Sequence, residues 1–107
     1  MTESISPDDS PGQAYFTQEE SALFAIADMG QKAVSFRDSE VGRLMTGYAL
    51  QEIESHARKL LDCDAGDTKT IMHHQQKAGA ARLFLQFVEE AISSGDVAYA
   101  QLTSIEE

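Results

Sequence analysis

At 107 residues, with eight Lys and Arg against 18 Asp and Glu, the chain has room for one domain and carries a formal charge of −10. That balance argues against direct nucleic-acid binding, which needs clustered bases to displace counterions from phosphates, and against an anionic membrane surface. The lone cysteine, Cys63, rules out an internal disulfide and fits a reducing cytoplasm.

Residues 1–15 are rich in Ser, Asp, Pro and Gly and hold both prolines, Pro7 and Pro11. Such a composition buries too little to offset its ordering entropy, so it predicts a disordered arm ahead of a single helical domain over 16–107. The start of the arm has neither a basic cluster nor an apolar stretch, so it does not read as a signal peptide. The longest apolar run, Ala22 to Ala27, is far too short to span a membrane. The expectation is therefore a cytoplasmic protein, or a virion component if phage-encoded, with no membrane contact.

The first helix is predicted over 17–34. Thr17 and Glu20 form a capping box, in which the hydroxyl and the carboxylate satisfy free backbone amides reciprocally. Leu23, Ile26, Ala27, Gly30, Ala33 and Val34 follow at helical spacing, with Gly30 weakening the last turns. Asp38 or Ser39 caps the second helix, predicted over 39–62. A short turn containing Gly66, a residue free to adopt a left-handed conformation, leads to the third helix over 68–102. So short a connection makes the two long helices antiparallel neighbours. The predicted fold is all-α: a long antiparallel helical hairpin with the shorter first helix packed against it.

The seam of the hairpin follows from heptad spacing. Ile71, His74, Ala78, Ala81 and Leu85 on the third helix face Ala49, Ile53, His56 and Leu60 on the second. Facing pairs have nearly constant number totals: Leu60–Ile71 and Ile53–Ala78 give 131, while His56–His74, Ala49–Ala81 and Gly42–Val88 give 130. The heptads continue through Gly95 to Tyr99 and Leu102, which predicts one long helix, bent or straight at Gly95. In this register the third helix outreaches the second by about a dozen residues, so the first helix or another copy of the chain must cover Tyr99 and Leu102.

No catalytic apparatus is evident. There is no phosphate loop, nucleophile elbow or dinucleotide fingerprint, and no enzymatic activity or cofactor is expected. His56 and His74 at one level invite a zinc reading, but a polar layer that fixes register is the simpler role, and no metal site is assigned. Asp62, Asp64 and Asp67 with Gly66 miss the spacing of a calcium loop. Phe84 and Phe87 flank the seam and, with Leu83, make the middle of the third helix apolar nearly all round. Such a helix needs more than one neighbour. Phe84, Phe87, Tyr99 and Leu102 are therefore the candidate partner or oligomer interface, unless the first helix covers them alone.

The stretch Phe36-Arg37-Asp38-Ser39-Glu40-Val41-Gly42-Arg43-Leu44 opens the second helix. Gln75-Gln76, Ala81, Phe84-Leu85-Gln86-Phe87, Ala91-Ile92, Gly95, Ala98 and Leu102 mark the third. Together, over roughly residues 36 to 102, they resemble small helical-hairpin proteins found among the head and packaging genes of tailed bacteriophages. The resemblance implies an assembly or accessory role and carries over no catalytic residue. The leading expectation is a non-enzymatic assembly or adaptor protein, homo-oligomeric and binding protein partners through helical contacts. The alternative is an acidic inhibitor that imitates nucleic acid before a host nucleic-acid-binding protein.

Overall fold

The computed structural model describes residues 16–106. The arm of residues 1–15 and Glu107 lie outside the described residues. Three helices follow in order: α1 (Gln18–Asp38), α2 (Glu40–Asp62) and α3 (Thr68–Glu106), with no strand among the described residues.

Side chains set each boundary. Thr17 Oγ1 accepts from the Glu20 amide at 3.0 Å, and Glu20 Oε1 accepts from the Thr17 amide at 2.9 Å, which is the predicted capping box. The α1–α2 break is a single extended residue, Ser39, at φ −74° and ψ 163°. Its hydroxyl donates to the Phe36 carbonyl at 2.6 Å and accepts from the Gly42 amide at 2.9 Å, so one side chain closes α1 and starts α2. Arg43 fastens the corner, its Nη2 donating to the Asp38 carbonyl at 2.8 Å. Asp67 starts α3: its carboxylate accepts from the Thr70 amide at 3.2 Å and the Thr70 hydroxyl at 2.7 Å.

Two boundaries differ from expectation. α1 runs on to Asp38, past the predicted end at Val34, because the Ser39 hydroxyl and amide take up the Phe36 carbonyl. α3 continues to Glu106, past Leu102. The turn also closes differently. No glycine among the described residues has positive φ, so Gly66 is not left-handed. Asp64 closes the turn instead, its carbonyl accepting from the Asp67 amide at 3.0 Å and its side chain from the Gly66 amide at 3.3 Å.

The arrangement is a rod two helices thick, 73 × 25 × 25 Å. α3 is the spine. α2 lies antiparallel along its first half, and α1 lies antiparallel along its second half, so α1 and α2 succeed each other on the same partner. The predicted overhang of α3 is thus covered by α1. The two axes come closest at Gly30 and Gly95, where a methyl built on either glycine would fall 2.6–2.7 Å from the other's Cα. α3 passes through Gly95 without a break because this glycine serves helix–helix approach. Gly42 is buried at the α1–α2 corner, where the Phe36 carbonyl occupies the space a side chain would need. A methyl there would also lie 3.1 Å from the Ser39 hydroxyl oxygen.

Candidate interaction surface

The seam is the first feature to locate. His56 and His74 meet across it, Nδ1 to Nδ1 at 2.8 Å, which fixes the α2–α3 register at the predicted total of 130. Ala49 and Ala81, of the same total, line one groove between the two helices. Ala49 and His56 are buried, while Ile53, Leu60, Ile71, His74, Ala78, Ala81 and Leu85 are half-buried. A seam left half-buried is the direct result of a molecule only two helices thick.

Chemically, the histidines form a short polar chain. Glu52 Oε1 stands 3.4 Å from His56 Nε2, and across the seam His56 Nδ1 and His74 Nδ1 share a proton, one ring donating and the other accepting. His73 stacks edge-on to both rings, at 6.1 Å from His56 and 5.1 Å from His74. The His74 pKa lies below its ordinary value, first because burial penalises the charged ring and then because His56, His73 and Lys59 repel a proton there. Among the described residues no group of three or more His, Cys, Asp and Glu is arranged to hold a metal ion. Cys63 ends α2, half-buried and free.

The larger feature is apolar. Among the described residues no large side chain is fully buried, and the apolar core comprises Ala49, Ala98 and Leu102. Sixteen large hydrophobic residues are exposed instead. They are not scattered. Between α2 and α3 lies an open groove of about 590 Å³, with Ala49 and Ala81 on its floor and Leu44, Met45, Tyr48 and Phe84 on its walls. Glu52 and Lys77 mark its end. On the same side of the spine, shallow grooves between α1 and α3 continue it: Ile26 and Met29 beside Phe87 and Ala91, then Leu23 beside Val97 and Ile105. Helical periodicity explains the continuity. Ala80, Leu83, Phe87, Glu90, Ser94, Val97 and Gln101 recur at alternating three and four residues, a second heptad row on α3 turned outward from the seam. Leu83, Phe87 and Val97 in this row are 66%, 69% and 59% exposed, and Leu44 and Tyr48 beside it are 74% and 63% exposed.

The four residues assigned to an interface from the sequence therefore separate. Phe87 lies on the outward row. Phe84 is half-buried, edge-on to Phe36 at 6.1 Å, and still lines the α2–α3 groove. Tyr99 is exposed on the opposite side of the rod, beside Phe24 and Val34. Leu102 does not belong to an exposed face: it is buried in the α1–α3 contact, since α1 covers the end of the spine. Sequence reasoning passed over Leu44, Tyr48, Leu83 and Val97 as interface candidates. The signal for the last two was a second phase of the heptad already found.

Charge is divided along the rod. Residues 50–82 carry five acids and five bases, whereas α1 and residues 83–106 of α3 together carry eight acids and two bases. The hairpin half is thus neutral and the α1 half is at −6. No helix among the described residues is long and apolar enough to cross a membrane. No protein-family model, curated protein or solved structure matches this chain.

Proposed function

We propose that this chain is a non-enzymatic assembly or adaptor protein that works as a homo-oligomer and binds protein partners through its helix faces. The observation that carries the reading is the mismatch between core and surface: among the described residues three small or rim-lying apolar residues are buried while sixteen large ones are exposed. Burying a large apolar side chain contributes about 1.5–3 kcal/mol, so a chain that leaves this many wet forgoes most of its folding free energy until it associates. Contiguous apolar surface of this extent on a short chain marks a protein interaction site. A phage head or packaging context for this assembly rests on the sequence resemblance of residues 36–102.

Phe87→Asp tests the proposal, because it sets a charge in the middle of the exposed row without touching the seam. Sedimentation velocity of the wild type should give a mass above one chain, and the variant should fall toward one chain. A wild type that remains a single chain at high concentration and captures no protein partner through this face would overturn the reading. The uneven charge favours a second reading, in which the −6 half imitates nucleic acid. Binding by mimicry weakens steeply with salt, whereas binding through the apolar face does not.

A further inference from the structure

We infer that the outward heptad row of α3 and the grooves beside it are the seat of a second copy of this chain, paired antiparallel about a two-fold axis near residue 85. This inference rests on the assembly reading above and adds the occupant, the face and the direction.

Three observations select a second copy. First, the exposed area fits. Leu44, Met45, Tyr48, Leu83, Phe87, Met29, Val97 and Ile105 share this side of the rod. Each presents roughly 100 Å² of apolar surface, so together they offer about 800 Å², the share one partner gives to a standard interface. Second, the deficit is one of folding and not only of binding. With no large side chain fully buried among the described residues, the chain needs its partner to become stable, and another copy is the partner always present where the chain is made. Residues 1–15 offer far less apolar area, with Met1, Ile5 and Tyr15 their only large apolar residues. Third, the row is self-complementary. Leu83 and Phe87 are its most exposed large apolar members and stand near the middle of α3, Thr68–Glu106. Reversing a second α3 across them sets Leu83 on Phe87 of the partner subunit, and Phe87 on the partner's Leu83, as a two-fold contact requires. Small residues on the row, Ala80 and Ser94, let the two spines approach.

Charge decides the direction. A parallel pair would lay one −6 half on the other, with five bases stranded at the neutral ends. The antiparallel pair lays each −6 half along a neutral half, bringing Lys69 and Lys77 over the acidic end of the other copy. The product is a bundle four helices thick in cross-section: two continuous spines at the centre, with each α1–α2 pair outside its own spine.

Distances between nitroxide labels test this in the full-length chain. With Cys63→Ser as background, single cysteines replace Gln75, Gln86 or Thr103, all exposed and off the outward row. Sedimentation is run on the same samples. At a rise of 1.5 Å per residue, an axis near residue 85 predicts axial label separations of roughly 3 Å for Gln86, roughly 30 Å for Gln75 and roughly 54 Å for Thr103. That graded series supports the inference. Equal, short distances at all three positions in a sedimenting dimer mean a parallel pair, and they overturn the inference while leaving self-assembly standing. An oligomer whose distances fit neither series uses another face and overturns it likewise. Single chains without dipolar coupling overturn both the inference and the homo-oligomer it rests on.

Discussion

Four helix-interior glycines give the fold a test whose sign changes from site to site. Glycine costs a helix about 1 kcal/mol relative to alanine, so each Gly→Ala change begins with that gain. At Gly79 a built methyl meets nothing within 4 Å, so the gain should stand and Gly79→Ala should stabilise by about 0.5–1 kcal/mol. Gly47 is open in the same way and should behave alike. At Gly95 the methyl would lie 2.6 Å from Gly30 Cα, and at Gly30 it would lie 2.7 Å from Gly95 Cα. Carbon atoms rest at about 3.5–4.0 Å, so α1 and α3 must part by about 1 Å there. A gap of that size forfeits about a quarter to a half of each contact's attraction, and it falls beside Ala98 and Leu102, two of the three buried apolar residues among those described. Overpacking of about 1–3 kcal/mol set against a gain of about 1 leaves Gly95→Ala and Gly30→Ala destabilised by up to about 2 kcal/mol, with no net gain. Calorimetry of the four variants at one protein concentration reads the result, at about 4–8 °C in Tm per kcal/mol. If Gly95→Ala raised Tm as much as Gly79→Ala, the close crossing of α1 on α3 would be refuted.

Other expectations follow from the corner and the histidine layer. Ser39→Ala removes the acceptor for the Gly42 amide and the donor to the Phe36 carbonyl, and should lower stability by about 1–2 kcal/mol in urea titrations, whereas Ser39→Asp should retain much of the cap. Gly42→Ala should be the most damaging glycine change, because the obstructing atom is the Phe36 carbonyl of the backbone; a thermal melt like the wild type's would disprove that corner. Stability should also depend on pH. With the His74 pKa lowered in the folded state, the unfolded chain binds more protons as pH falls below its ordinary 6.5, so stability is full above that value and declines beneath it, down to the lowered folded pKa. His56 and Lys59 face this ring from α2, with Glu52 on the far side of His56, and His73 adjoins it on α3. Urea midpoints at pH 7.5 and 5.5 should differ more for the wild type than for His74→Gln, and an equal difference would show that the ring does not govern the dependence.

Much of this fold is legible in the chain because its helices carry unusually plain punctuation. Thr17 with Glu20, Ser39, and Asp67 are caps whose side chains bond as their spacing suggests. The alternating heptads of α2 and α3 fixed the register to the residue, as the His56–His74 contact demonstrates. The sequence hides how glycines on different helices meet one another or a neighbouring backbone. Gly30 and Gly95 look like weak points in isolated helices, yet the structure uses them as a matched pair that brings two axes together. Gly42 looks like a seam residue, yet the corner behind it dictates its size. The surface was legible only in part. Phe87 stood out, but Leu102 at seam spacing belongs under α1, and Leu44 and Tyr48 count as surface residues only once α2 is seen to have no neighbour on that side.

If this chain completes its core by association, folding and assembly form a single equilibrium. The most direct measurement is the concentration dependence of thermal unfolding of the unmodified protein. When folding is coupled to association, mass action raises Tm as the chain becomes more concentrated. Melts followed by circular dichroism over a hundredfold range of concentration should therefore shift upward by several degrees, as one cooperative transition. A Tm unchanged across that range, with a sharp transition and the mass of a single chain, would contradict the account.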